Sequence, residues 1–446
     1  LTAEAGDQFK GLFVFDANVP ILKYLASLGM LLGKKNIHHQ YAHCWRCKNP
    51  IIYRATEQWF ASVDGFREAA LQAIHTDVQW IPAWGEPRIH NMVADRHDWC
   101  ISRQRVWGVP IPIFYCAECH EPLVTDATIE AVAACFEKEG SDAWWKHEAD
   151  ELLPKGTKCP KCGHPHFTKE KDIMDVWFDS GSSHMGVLKT RPELEWPCAM
   201  YLEGSDQHRG WFQSSLLTSV AATGKAPYRS VLTHGYVVDG DGRKMSKSVG
   251  NVIAPQDIIK QYGADIVRLW VASADYKQDI RISKLILKQL TEIYRKIRNT
   301  IRYILGNTSD FDYAKDKVAF ADMQELDQWA LMRLQKLKKE VGTAYEEYEF
   351  HVLFHAIHNF CAVEMSSFYL DIIKDRLYAS RQDDQIRRSA QTAMYEILND
   401  LVVMLAPVLS FTMEEVWQFM KKPADAPESV QMQTWPEVKE EYINET

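Results

Sequence analysis

Between Ser230 and Gly263 the chain sets a strand, a tight turn, a lysine-bearing loop and a helix start in direct succession, and few architectures accommodate that order. The segment Ser230-Val231-Leu232-Thr233-His234-Gly235-Tyr236-Val237-Val238 reads as one β-strand, and Asp239-Gly240-Asp241-Gly242 reads as the turn that releases it. Pro255 suits the first position of a helix, with Asp257 in its first turn and Gly263 as its stop. A strand end facing a helix start is where open α/β sheets bind nucleotides. In the intervening run Gly242-Arg243-Lys244-Met245-Ser246-Lys247-Ser248-Val249-Gly250-Asn251, two lysines stand three residues apart between glycines. Mobile ammonium groups can neutralise charge developing on a phosphate. A solvated Lys/Ser loop is the plain alternative.

A second stretch, Tyr201-Leu202-Glu203-Gly204-Ser205-Asp206-Gln207-His208-Arg209-Gly210-Trp211-Phe212, combines carboxylates, an amide and an aromatic around two glycines. Glu203 or Asp206 suits an α-ammonium, Gln207 can orient polar atoms, and Trp211 can wall an aliphatic side chain while glycines such as Gly204 admit a close ligand. Alternatively the segment is a strand-to-helix turn with a capping acid.

Three C-x-x-C pairs, Cys44/Cys47, Cys116/Cys119 and Cys159/Cys162, have the spacing of zinc-chelating thiolates. Cys116, Cys119, Cys159 and Cys162 make a complete set for structural Zn2+, closed to chemistry because all four positions are filled; a reduced thiol cluster is the alternative. Their meeting requires a looped-out insertion containing Trp144 and Trp145. Cys44 and Cys47 have no second pair and read either as half of a site or as buried thiols.

The Lys244-Met245-Ser246-Lys247-Ser248 run matches the second signature of class I aminoacyl-tRNA synthetases. Taken with the Glu203–Phe212 string, Asp175-Val176-Trp177-Phe178-Asp179-Ser180-Gly181-Ser182, Trp99-Cys100-Ile101-Ser102-Arg103-Gln104-Arg105-Val106-Trp107-Gly108 and His43-Cys44-Trp45-Arg46-Cys47-Lys48, it makes nearly the whole chain resemble the bacterial isoleucyl-tRNA synthetases. The valyl enzymes are the alternative within the class. The resemblance implies a ligase that activates isoleucine with ATP and Mg2+ and transfers it to tRNA(Ile), as a cytoplasmic monomer with no membrane association. It implies Glu203 at the adenylate and Asp206 and Gln207 beside the amino acid or ribose. Trp177 and Trp211 would line the isoleucine side chain, and His234 would lie near the adenine. Lys247 would contact ATP phosphates, supported by Lys244. Apart from the motif, Trp177 reads as a core aromatic on a buried strand.

The resemblance further implies an α/β, Rossmann-like nucleotide-binding half followed by an all-α anticodon-binding bundle. Residues 1–30 would end an editing-domain insertion. Residues 31–282 would form the second half of the catalytic domain, with a zinc-binding insertion at about 111–172 and the lysine signature at 244–248. Residues 283–446 would bind tRNA. The His-x-Gly-His signature of the class is missing, so the chain is expected to be a piece of a longer protein, inactive by itself. A non-catalytic tRNA-binding module, or a nucleotidyltransferase acting on another acid, are the competing readings.

From about Ser283 apolar residues recur at helical spacing, in Leu287, Leu290, Ile293, Ile297 and Ile301, then over 326–348, 351–378 and 386–404, with a further helix starting near Thr412. Lys284, Lys288, Arg295, Lys296, Arg298 and Arg302 form a candidate basic track or a solvated helix face. The formal net charge of -9 argues against non-specific RNA coating, and no run of about eighteen apolar residues is present to span a membrane. With 46% hydrophobic residues over 446 positions the chain can bury a sizeable core and is expected to form two or three domains.

Overall fold

The computed structural model describes residues 1–44, 46–247 and 249–444. Trp45 of the Cys44/Cys47 string, Ser248 of the lysine signature, and Glu445 and Thr446 lie outside the described residues. Two compact units divide at Gln58 and Trp59, 28 residues beyond the expected end of the first segment. The first unit carries one ten-residue helix, Asn18–Ser27, and a tight turn in which the Cys44 carbonyl accepts from Lys48 N–H at 2.8 Å.

In the second unit the strands Gln79–Ile81, Ser230–His234 and Tyr201–Gly204 form a parallel sheet with Ser230–His234 in the centre. Val231 pairs with both Trp80 and Tyr201, and His234 with Gly204. Parallel strands covered on both faces are apolar throughout, and Val231, Leu232 and Thr233 are accordingly all buried. The helices Arg67–Thr76, Gly85–Ala94 and Trp211–Thr223 enclose this sheet around Ile74, Ile89, Val93, Phe212, Leu216 and Tyr228.

The single strand expected over 230–238 is two. Ser230–His234 ends, the chain passes through Gly235 and Tyr236, and Val237–Val238 pairs in a different sheet with Ile280–Arg281. Gly235 donates its N–H to the Tyr276 carbonyl at 2.8 Å, and a Cβ there would lie 2.2 Å from the carbonyl carbon of Gln278. No larger residue fits without moving backbone. Gly235→Ala is expected to lower unfolding free energy by about 1–3 kcal/mol, the usual cost of overpacking, read from a denaturant melt of the full chain.

The cysteine-rich insertion is a small domain with its own core. Phe114–Cys116 is flanked by Pro122–Leu123 and Phe167–Lys169 in an antiparallel sheet. Against it packs the helix Asp126–Glu139, whose first turn is capped by Thr125 accepting from Thr128 N–H at 3.3 Å. Trp144 is fully buried beside Phe114, Leu123, Val132 and Phe167.

The C-terminal part is helical, as the periodicity predicts, with long helices Lys284–Asn307, Glu325–Glu346 and Gln385–Leu405. The stretch 351–378 is less regular: Phe350–Asn359 runs into a wider π-helical segment, Phe360–Tyr369, before two short helices. The last major helix is Ser410–Phe419, starting before Thr412. Its N–H groups at Phe411 and Thr412 donate to Asp265, at 3.3 and 2.8 Å, as does the Thr412 hydroxyl at 2.6 Å. Arg268 donates to the carbonyls of Pro407 and Val408. Ile258, Ile266, Leu269 and Trp270, on the helices Pro255–Tyr262 and Ala264–Ser273, share the bundle's core. Packing therefore draws no seam at residue 282. Among the described residues no helix is long and apolar enough to cross a membrane.

Candidate functional site

The carboxyl ends of Tyr201–Gly204 and Ser230–His234 lie side by side, so register alone brings Glu203, Gly204 and His234 together. The exposed Glu203 carboxylate accepts from its neighbour's N–H, Gly204, at 3.2 Å. The chain then turns through a 3₁₀ segment, Ser205–Arg209. Asp206 is held by Tyr236, whose hydroxyl donates to Oδ1 at 2.7 Å. That hydrogen bond, foremost among several, holds the Asp206 carboxyl below the usual carboxylate range. Both ends of the Gln207 amide are in use: Nε2 donates to Asp206 at 3.1 Å and Oε1 accepts from Trp211 N–H at 2.9 Å. Tyr236 belongs to this cluster, and nothing in its sequence context marks it, because it reads as one more strand residue.

His208 is wholly buried between Trp80, Trp84 and Phe212. Burial lowers its pKa, so it is a neutral wedge beneath the turn. His234, half-buried, places Nδ1 2.7 Å from the Gly235 carbonyl and borders an apolar cleft of ≈ 500 Å³ with Met200, Leu202, Trp270 and Phe350.

Trp211 stacks on Tyr201, with centroids 4.0 Å apart, and donates its indole N–H to the Ser180 carbonyl at 3.0 Å. Trp177 is not on a buried strand. It stands in the first turn of the helix Val176–Gly181, capped by Asp175, and is 43% exposed. An aromatic next to β-branched Val176 reads as strand, yet the Asp175 carboxylate accepting from Trp177 N–H at 3.2 Å starts a helix. The Trp177 ring edge approaches Gly210 so closely that a Cβ there would meet it at 3.2 Å and Gln207 at 2.4 Å. Trp177 thus lies against the Gly210 backbone, and it also borders a cleft of ≈ 740 Å³ with Arg103, Asp175 and Asp179. Burial raises the Asp179 pKa.

Lys244 and Lys247 are exposed, on a loop whose stem is tightly built. Lys244 bridges back to Val238. Asp239 is buried and acts as the anchor: it accepts from Arg243 N–H at 2.8 Å and from the Asn251 amide at 2.9 Å. The Asn251 oxygen in turn accepts from Ser246 N–H at 2.9 Å. Met245 packs against the core that contains the bundle helices. The hydrogen bond from Asn251, with those from Arg243, brings the Asp239 carboxyl down to about 2. A folded pKa below the unfolded value of about 3.9 means that the anchor's contribution is present above about pH 4 and is lost as pH falls through 2. The stability difference between wild type and Asp239→Asn is expected to be constant above about pH 4 and to close below it; a carboxyl titrating near 4 by NMR would mean the anchor is not formed.

Cys116, Cys119, Cys159 and Cys162 converge, with donor atoms all within 4.8 Å of one another. The shortest separations are 3.5 Å for Cys116 to Cys162 and 3.6 Å for Cys119 to Cys159. Tetrahedral zinc with Zn–S near 2.3 Å requires S···S of about 3.8 Å, so the set fits the ion. The Cys162 N–H, with that of Lys161, draws the Cys159 thiol down to about 6, while burial and the neighbouring sulfurs raise Cys119 and push Cys162 up to about 12, so the four thiols share their protons as one cluster. Among the described residues, Cys44 and Cys47 gather no such set.

Comparison with known proteins bears on this geometry. A family described as "tRNA synthetases class I (I, L, M and V)" matches residues 16–283, and "Anticodon-binding domain of tRNA ligase" matches residues 327–446. Proteins named Isoleucine--tRNA ligase from Caldicellulosiruptor bescii and Moorella thermoacetica are 62% and 60% identical over 445 and 442 residues. Those alignments take in 100% and 99% of this chain but 48% and 47% of the relatives, so the chain spans about half the length of the curated relatives it matches. Among solved structures, the Agrobacterium radiobacter K84 agnB2 LeuRS-tRNA-LeuAMS complex aligns with 78% of this chain and 43% of its own, at TM-score 0.58 and 20% identity. Mycobacterium tuberculosis methionyl-tRNA synthetase in complex with methionyl-adenylate aligns with 84% and 65%, at TM-score 0.59 and 17% identity. These two share the fold. A family match across strand ends, lysine loop and cysteine insertion alike means that the chain belongs to the class I tRNA synthetases of the isoleucine, leucine, methionine and valine group.

Proposed function

We propose that this chain forms part of an isoleucine–tRNA ligase, which activates isoleucine with ATP, releasing pyrophosphate, and passes the isoleucyl group to tRNA(Ile). The observation that carries the reading is identity above 60% with a protein named Isoleucine--tRNA ligase along the whole of this chain. Glu203, at the strand end, and Asp206, in the turn that follows it, take the α-ammonium and ribose of the adenylate, with Gln207 setting the turn and Gly204 leaving room for the ligand. Trp177 and Trp211 form the apolar wall against isoleucine, and His234 lies beside the adenine. Lys247, with Lys244, meets the phosphates of Mg2+-bound ATP, and their mobility on a pinned stem suits charge that moves from α-phosphate to pyrophosphate. Cys116, Cys119, Cys159 and Cys162 hold a structural zinc. The enzyme works as a monomer in the cytoplasm.

The RNA face of the bundle is the helix Lys284–Asn307. Lys284, Lys288, Arg295, Arg298 and Arg302 are all exposed and, at about 100° per residue, fall within roughly a quarter of the circumference; Lys296 points elsewhere. Such a stripe supports contact with a phosphate backbone despite the net negative charge.

The test is amino-acid-dependent ATP–pyrophosphate exchange by the whole protein that carries this sequence. Isoleucine should be preferred over valine by roughly 10–200-fold, the range one methylene supplies. Preference for valine would move the reading to the valyl enzyme, and tRNA binding without any exchange would move it to a non-catalytic module.

A further inference from the structure

We propose that Cys135, Glu139 and His147 form a second zinc site in the cysteine-rich insertion, sharing no ligand with the four-cysteine cluster. Cys135 and Glu139 stand one helical turn apart on Asp126–Glu139 and so face the same way. That helix ends at Gly140, and the short helix Ala143–Lys146 returns the chain to present His147. The thiol, carboxylate and imidazole donor atoms all lie within 4.8 Å of one another, with His147 Nε2 at 3.0 Å from Glu139 Oε2. Donors held about 2.0–2.3 Å from a tetrahedral zinc stand roughly 3.3–3.8 Å apart, so side-chain adjustment alone closes the site.

Three further features fit a bound cation. The other nitrogen of the imidazole, Nδ1, faces Glu151 at 3.6 Å, and Glu151 is itself fixed by the Glu148 N–H at 2.8 Å. A carboxylate behind a histidine that turns its far nitrogen outward is the usual support of a metal-bound imidazole. The backbone beneath His147 is rigid: Trp144 is buried, its indole N–H donates to the Glu170 carbonyl at 3.0 Å, and Lys169 donates to the carbonyls of both Trp144 and His147. Finally, Glu139 is the last residue of its helix and Cys135 stands one turn before it, at the end where the peptide dipoles favour positive charge. A thiolate, a carboxylate and a neutral imidazole balance a divalent ion and match the mixed donors zinc accepts, with water at the fourth position. Cys135 is half-buried and Glu139 exposed, so the ion has an open approach.

The experiment is zinc content per chain by mass spectrometry on the full chain, after zinc loading and dialysis against a weak chelator. His147→Ala and Cys135→Ser should each retain one zinc equivalent fewer than wild type. In cobalt-loaded protein, both should lose the part of the thiolate charge-transfer band that comes from a single-thiolate site. Because Glu139 is exposed, Glu139→Gln keeps the fold and should release that equivalent at a chelator concentration that leaves wild type loaded. Equal zinc content in wild type and all three variants would reduce the cluster to a hydrogen-bonded His–Glu pair beside a packed thiol, and the proposal would fail. Release of every zinc by His147→Ala with none by Glu139→Gln would mean collapse of the insertion and would equally overturn it.

Discussion

Replacing Lys247 by alanine in the whole synthetase is expected to lower isoleucine-dependent ATP–pyrophosphate exchange by about 10²-fold or more, the scale of losing one group aimed at transition-state charge. The physical argument is one of placement. Lys247 is exposed, yet the stem of its loop is fixed by the hydrogen bond from Asn251 to Asp239 and by Met245 in the core. The loss should fall more on kcat than on KM for ATP, because a contact to the phosphates that tightens as charge develops is worth more in the transition state than in the ground-state complex. Lys247→Arg should recover part of the rate but not all, since a planar guanidinium offers its donors in a different geometry. An unchanged rate in the alanine variant would remove Lys247 from the mechanism.

Asp327→Ala should be the most damaging single change in the bundle, at about 3–5 kcal/mol, the range for breaking a buried ion pair from one side. Asp327 is completely buried on Glu325–Glu346. Its carboxylate takes the Tyr369 hydroxyl at 2.7 Å, the Ser389 hydroxyl at 2.6 Å and the Arg376 guanidinium at 3.0 Å. Alanine strands two hydroxyls and a cation, each drawn from a different segment. Asparagine keeps an acceptor and should cost less. The denaturant midpoint of the full chain measures both variants, and a loss under about 1 kcal/mol for alanine would show that water replaces the carboxylate.

What could be read from residues alone depended on how far apart the interacting residues are in the chain. The helices 284–307, 325–346 and 385–405 follow from apolar spacing within each segment, and the start at Pro255 from the residue itself. The four-cysteine cluster was legible because two identical spacings announce each other. The break at Gly235 was hidden, since β-branched residues run on both sides and the backbone that forces the break belongs to Gln278. The anchor formed by Asp239 and Asn251 spans twelve residues and matches no short pattern. Cys135 stands in no Cys-x-x-Cys pair, and only the fold brings His147 to it. Tyr236 and the exposed, helical Trp177 depend likewise on partners that a linear reading does not supply.

Asp265 and Arg268, bound to the chain at 407–412, make the helix Ala264–Ser273 common property of the sheet-bearing half and the bundle. Recombination between related enzymes is therefore constrained in where it can cut. A crossover at residue 282 would separate an acid and a guanidinium from the helix end they complete, and would leave Ile266, Leu269 and Trp270 facing a stranger's core. A donor bundle is interchangeable only if it brings the helices from Pro255 onward, so the exchangeable unit is longer than the bundle from Lys284 and begins at the foot of the lysine loop.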